Sequence, residues 1–266
     1  MTKPVICFDF DGTLVNAHGD IHPRDVEILS SEDRVVFVPA TGRPLHAVKY
    51  AFQRNGLFLD RPISFPMVLQ NGAVVYRPGE VLFRHTPFPP AEQAELLAIS
   101  RRHTRICGLL FSVNQVEMLW PNAEGLRMVR RFDLKVQPFA GQSGDYTKLT
   151  CITDSVPAMN NFVAEIEAIA LEKSFSLPTV LELTGIGIDK GQMLAGLLDE
   201  LGLEKSQIFA AGDGENDLSL FEAAEMSFCP VTSPAAIKDR TDAEIDVAKT
   251  GLLAPILAKI NDALPH

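Results

Sequence analysis

Two aspartates, Asp9 and Asp11, follow the apolar run Val5-Ile6-Cys7-Phe8, and a glycine, Gly12, follows them. Side chains two apart on a strand face the same way, so both carboxylates share one side of a strand end. Like charges that close repel unless a cation or a shared proton lies between them. A third acid, Asp213, opens the run Asp213-Gly214-Glu215-Asn216-Asp217. Asp9, Asp11 and Asp213 together offer hard oxygen ligands of the kind that suit Mg²⁺. Lys190 adds an ammonium, and Thr41-Gly42-Arg43 adds a hydroxyl, backbone amides and a guanidinium. Gly12 and Gly42 let the backbone come close to an anion. A dication, an ammonium and anchored oxygens are the inventory of phosphoryl transfer, where catalysis is mostly positioning and charge neutralisation.

These groups need a scaffold that gathers them. Residues 5–9 and 35–38 read as buried strands, and residues 23–31 and 44–54 as helices opened by prolines. A short strand is expected at 66–69. Residues 189–201 read as a helix, 207–212 as a strand, 218–224 as a helix and 226–229 as a strand. A helix at 234–240, a strand at 244–247 and a helix at 252–263 complete the chain. Strands alternating with helices predict a parallel sheet with helices on both faces. In such a sheet all strand ends of one polarity meet at one edge, so Asp9–Thr13, Thr41–Arg43 and Asp213–Asp217 can converge in one crevice.

Between these two stretches the pattern changes. Residues 74–77 and 80–84 flank Pro78-Gly79 as a hairpin, and 90–102 reads as a helix. Strands at 106–113 and 116–120, a helix at 122–131, and a strand, helix and strand at 148–153, 158–170 and 179–183 follow. This block reads as α+β with a partly antiparallel sheet. The simplest organisation is a discontinuous α/β core, residues 1–73 and 186–266, with an inserted α+β unit at 74–185. Glycines near both junctions, Gly72 and Gly185/Gly187, suit hinges.

The ordered segments Asp9-Phe10-Asp11-Gly12-Thr13-Leu14, Thr41-Gly42-Arg43, Lys190-Gly191 and Gly212-Asp213-Gly214-Glu215-Asn216-Asp217 resemble the four motifs of the haloacid dehalogenase superfamily. The insert lies between the second and third, and Asn71-Gly72-Ala73 stands where it begins. That placement is similar to the Cof-type, sugar-phosphatase-like subfamily with a large α+β cap on a Rossmann-like core. The resemblance implies a Mg²⁺-dependent phosphatase. Asp9 would be the nucleophile, forming an aspartyl-phosphate, and Asp11 the acid and base. Gly12, Thr41, Gly42 and Lys190 would surround the phosphoryl group. Asp213, Asp9 and the Asp11 carbonyl would hold the metal, with Asp217 in its outer shell or paired with Lys190. Asn216 would lie close to the phosphate. Arg43 suits either a substrate contact or an ion pair. The segment after the fourth motif, EMSFCPVTSPAA, departs from the small-residue run common in that family. A phosphomutase of the same fold and a silent binding protein are the rival readings.

Composition sets the partners. A formal charge of −10 over 266 residues disfavours nucleic acid and anionic membranes, but not a small phosphorylated metabolite met by a few local cations. No apolar run is long enough to cross a bilayer, and the start lacks a signal-type stretch. Cys7, Cys107, Cys151 and Cys229 are scattered without metal spacing and read as small buried hydrophobes of a reducing compartment. The expectation is a cytoplasmic enzyme, a monomer or small homo-oligomer. Trp120 reads as core, and Phe111–Trp120 and Ala140–Asp145 as weak candidates for facing substrate.

Overall fold

The computed structural model describes residues 3–142 and 144–263; Ser143, in the 140–145 stretch, lies outside them. Among the described residues fourteen strands run in chain order: β1 Val5–Phe8, β2 Val36–Pro39, β3 Met67–Leu69, β4 Val74–Arg77, β5 Val81–His85, β6 Cys107–Phe111 and β7 Val116–Leu119. They continue with β8 Val136–Pro138, β9 Lys148–Ile152, β10 Leu171–Leu177, β11 Val180–Gly185, β12 Ile208–Ala211, β13 Met226–Pro230 and β14 Ala243–Ile245.

The first sheet is parallel, in the order β14-β13-β12-β1-β2. β1 is an interior strand covered on both faces, which is why VICF carries no polar alternation. Alternation survives in where each side chain goes. Ile6 and Phe8 pack with Phe10, Phe37 and Phe52 on one face. Val5 and Cys7 pack on the other with Leu194 and Leu197 of the helix Lys190–Glu200. The two distant stretches of sequence thus build one sheet, as the alternating pattern predicts. The aspartate Asp25 ties them again: its carboxylate accepts the Leu252 and Leu253 amides at 2.7 and 2.8 Å, at the start of the helix Leu253–Ala263.

A second sheet, β10-β11-β9-β6-β7-β8, is antiparallel except for its β7–β8 pair. Helices Pro90–Ser100 and Val156–Glu165 supply Leu96, Leu97, Met159 and Phe162 to the cluster on one face. β8 and β10 are absent from the sequence expectation. The helix expected through residue 170 ends at Glu165, and the chain enters β10 six residues later. LEKSFSL mixes charge and hydroxyl with few apolar positions, so its strand character comes from pairing with β11 rather than from its own composition.

A third, small sheet joins β3, β4 and β5. The hairpin of β4 and β5, assigned by sequence to the insert, packs elsewhere. Val74 and Tyr76 enter the cluster of Ile6 and Phe8, and Val75 enters that of Cys7. A hairpin's local pattern states its pairing, not the sheet on which it docks, so the sequence could not place it. The four cysteines are buried and free, in keeping with their reading as hydrophobes. Among the described residues no helix is long and apolar enough to cross a membrane.

Candidate active site

The parallel sheet brings its candidate residues to one edge. Asp9 directly follows β1, its amide continuing the ladder to the Ala211 carbonyl at 2.9 Å. Asp213 follows β12 by one glycine, and Lys190 opens the helix Lys190–Glu200, capped by the Asp189 side chain on the Gln192 amide. Lys190 is fully buried, 0% exposed. Its Nζ lies 2.6 Å from Asp9 Oδ1 and 2.6 Å from Asp217 Oδ1. Asp217 Oδ2 accepts the Asp213 and Gly214 amides, each at 3.0 Å, and so fixes the turn that presents Asp213. Thr13 Oγ1 donates to Asp213 Oδ1 at 3.4 Å. Gly12, at φ +86°, is required here. A Cβ on it would stand 2.1 Å from Asp213 Oδ2, and the left-handed backbone favours glycine independently.

Carboxylate oxygens of Asp9, Asp213 and Asp217 lie within 4.8 Å of one another. Three carboxylates against one ammonium leave an excess of two negative charges when all are ionised. Burial and mutual repulsion act on the Asp9 and Asp213 carboxyls. Burial, then repulsion from Asp217, pushes Asp213 up to about 6. Burial also raises the Asp9 carboxyl well above its usual range, with Asp217, Asp213 and Asp11 adding to the rise and Lys190 opposing it. Despite its own burial, Lys190 is held protonated above its usual value by Asp217 and Asp9. Hard oxygens, an uncompensated double negative charge and close spacing fit a divalent cation such as Mg²⁺.

Asp11 points elsewhere. Arg43 grips it with Nε on Oδ2 at 2.7 Å and Nη2 on Oδ1 at 2.5 Å. The guanidinium is buried between the rings of Phe10 and Phe132, 5.6 and 5.0 Å from their centroids. Of the two sequence readings of Arg43, the ion pair is the one formed here, with the guanidinium buried and the Asp11 carboxylate partly exposed. The Asp11 side chain therefore stands apart from the Asp9/Asp213/Asp217 cluster.

Thr41 is buried beyond β2, its amide bonded to the Val68 carbonyl at 2.9 Å, and its Oγ1 accepts the Arg43 amide at 3.3 Å. Asn216 Nδ2 donates to Asn71 Oδ1 at 3.3 Å. Gln70 and Asn71 both hold positive φ, +53° and +57°, strain of about 1 kcal/mol or more each that surrounding contacts must sustain.

Two functional candidates escaped the sequence reading. Lys148 on β9 and Glu182 on β11 form a buried ion pair at 2.5 Å, and both reach the first sheet's edge. Lys148 Nζ donates to the Gly42 carbonyl at 2.9 Å, and Asn71 Nδ2 donates to Glu182 Oε2 at 2.8 Å. Gly42 lies in the middle: a Cβ there would stand 3.0 Å from both Lys148 Nζ and Asn71 Oδ1. A signal existed, since each strand, KLTCI and VLELTG, carries one charged residue among apolar and hydroxyl side chains.

Comparison with known proteins shows what the chain is similar to. A family model described as haloacid dehalogenase-like hydrolase matches residues 6–254. The pyridoxal phosphate phosphatase YbhA of Escherichia coli is 24% identical over 97% of this chain and 98% of that protein. The 5-amino-6-(5-phospho-D-ribitylamino)uracil phosphatase YitU of Bacillus subtilis is 23% identical over 84% of this chain and 85% of its own length. Among solved structures, a haloacid dehalogenase-like hydrolase from Bacteroides thetaiotaomicron superposes with a TM-score of 0.81 at 20% identity, covering 97% of this chain and 99% of that one.

Proposed function

The chain belongs to the haloacid dehalogenase-like hydrolases, and from that premise we propose that it is a Mg²⁺-dependent phosphomonoesterase acting on a small phosphorylated metabolite, a sugar phosphate by preference. The observation that carries this reading is the buried Asp9–Lys190–Asp217 arrangement with Asp213 beside it, at the carboxyl ends of β1 and β12. Likeness over most of the chain to two phosphatases of phosphorylated metabolites supports the substrate class.

Asp9, Asp213 and Asp217, with the Asp11 carbonyl, are the residues that would hold the cation. When bound it neutralises carboxylate and phosphate charge, so that one anion can approach another. Asp9 attacks phosphorus: an Asp9 Oδ–P bond forms, and the bond from phosphorus to the ester oxygen breaks. Asp11, released from Arg43 and protonated, gives its proton to the leaving oxygen. Water then attacks the aspartyl-phosphate, Asp11 takes the water proton, and the Asp9 Oδ–P bond breaks to give inorganic phosphate. Lys190 favours the ionised form of Asp9 before attack and orients its side chain through both steps. Thr41, the Gly12 and Gly42 backbone, and Asn216 hold the phosphoryl oxygens. The unit built on the six-stranded sheet serves as a cap over the crevice, excluding bulk water and reading the leaving group.

The test is a screen of the purified chain against phosphorylated metabolites and p-nitrophenyl phosphate, reading kcat/KM. Turnover should need Mg²⁺, stop with EDTA and return when Mg²⁺ is restored. Absence of phosphate release from every ester, or release that survives EDTA, contradicts the reading.

A further inference from the structure

The Lys148–Glu182 pair is expensive. Lys148 is 1% exposed, with its ammonium 5.2 Å from the centroid of the Phe111 ring. A buried ion pair rarely repays its desolvation by mutual attraction alone. Where its remaining hydrogen bonds go is therefore informative, and they go to two residues adjoining the phosphoryl site.

The first path runs from Lys148 to the Gly42 carbonyl. The peptide carrying that carbonyl also carries the Arg43 amide, which donates to Thr41 Oγ1. Turning this peptide plane turns the Thr41 hydroxyl with it. The second path runs from Glu182 to the Asn71 side chain, and from Asn71 Oδ1 to Asn216 Nδ2. Asn71 and its neighbour Gln70 hold positive φ, and the Gln70 amide is also clasped from the six-stranded sheet. Its Oε1 accepts from Thr147 Oγ1 at 2.5 Å, and its Nε2 donates to the Ser112 carbonyl at 2.9 Å.

We infer that Lys148 and Glu182 are positioning residues for the phosphoryl pocket: docked against Gly42 and Asn71, they orient Thr41 and Asn216. This deepens the phosphatase reading and rests on it for the roles of Thr41 and Asn216. The two relays make pocket assembly depend on docking of the six-stranded sheet, whatever leaving group the ester carries. Lys148 and Glu182 carry opposite unit charges, so the pair adds no net charge beside the pocket, and its contacts with Gly42 and Asn71 make its effect chiefly geometric.

Lys148→Met and the milder Glu182→Gln test this in the full chain with Mg²⁺ present. Two readouts are taken: binding of inorganic phosphate by calorimetry, and kcat/KM for p-nitrophenyl phosphate and for glucose 6-phosphate. Thermal unfolding confirms that each variant is folded. The expected result is phosphate affinity weakened about tenfold or more in both variants, with kcat/KM falling by a similar factor for every ester that the wild type hydrolyses. Lys148→Arg, which keeps a donor for Gly42, should recover most of the loss. Phosphate affinity within twofold of wild type in both folded variants overturns the inference. So does a loss confined to glucose 6-phosphate, which would make the pair a reader of the leaving group. Calorimetry does not require turnover. A wild type that binds phosphate but hydrolyses nothing would sink the phosphatase reading while leaving the positioning inference to stand or fall on affinity.

Discussion

Two lysines are buried in this protein at the same crevice, and their surroundings differ in charge. Lys190, on the core helix, faces Asp9 and Asp217 with Asp213 beside them. Lys148, on the six-stranded sheet, faces Glu182 and a backbone carbonyl. The first cluster is left with excess negative charge and the second is balanced. An unbalanced buried cluster invites another cation and a reacting anion. A balanced one is content as it is, and its role is to hold neighbours in place. The contrast separates a site where chemistry is done from one where geometry is set.

The contrast can be broken most forcefully at Asp9. Asp9→Asn keeps the shape of the side chain but removes the attacking oxygen anion, and phosphomonoesterase activity should fall roughly 10⁴-fold or more while the protein unfolds cooperatively as before. Lys190→Met should come next. It leaves Asp9 and Asp217 buried with no counter-ion, which costs about 3–5 kcal/mol in stability as well as nearly all turnover. A thermal-unfolding scan should show Tm lowered by several degrees or more, with part of the loss recovered by Mg²⁺.

Metal response sharpens the difference further. Mg²⁺ should raise the wild-type Tm, and Asp213→Asn should abolish most of that rise. Lys148→Met should lower Tm by nearly the same amount with and without Mg²⁺, because its cluster needs no cation. Equal Mg²⁺ responses in Asp213→Asn and wild type would erase the distinction.

Acid provides a smaller effect. Burial pushes the Glu182 carboxyl up, but Lys148, Asn71 and Lys190 outweigh it and hold the group below its usual 4.5. A depressed folded-state value means that the ionised form stabilises the fold. That contribution is complete above 4.5 and is lost as the pH falls through the folded value. The Tm gap between wild type and Glu182→Gln should therefore be steady near neutrality and close as the pH drops below 4.5. The smallest effect belongs to the Glu32–Arg34 pair, whose guanidinium is open to solvent; Glu32→Gln, which keeps an acceptor oxygen, should leave Tm and activity nearly unchanged.

The sequence reveals one of the two lysine sites far better than the other, for a physical reason. Asp9, Lys190, Asp213 and Asp217 sit at ends of elements, where local chemistry of strand, turn and helix start already restricts residue types. The meeting of the three aspartates follows from parallel-sheet topology, and Lys190 joins them from the start of the helix packed on that sheet. Lys148 and Glu182 sit inside strands, and a single charge in a buried strand says nothing about which surface it will meet. Their meeting requires the register of β9 against β11 and the docking of that sheet on Gly42 and Asn71, both set by long-range packing. The docking of the β4–β5 hairpin on the core clusters is hidden from the sequence for the same reason. Arg43 shows an intermediate case: its neighbours in sequence mark it as a crevice residue, but only the folded chain shows that it holds Asp11.

The most direct measurement is to mix the wild-type protein with Mg²⁺ and p-nitrophenyl phosphate, quench in acid within the first turnover, and map the phosphoryl group to a residue by peptide mass spectrometry. The expected result is a phosphoryl group on Asp9 and on no other side chain. A phosphoryl group on a different residue, or none at all once a stoichiometric burst of p-nitrophenol has been released, would contradict the assignment of Asp9 as the attacking group.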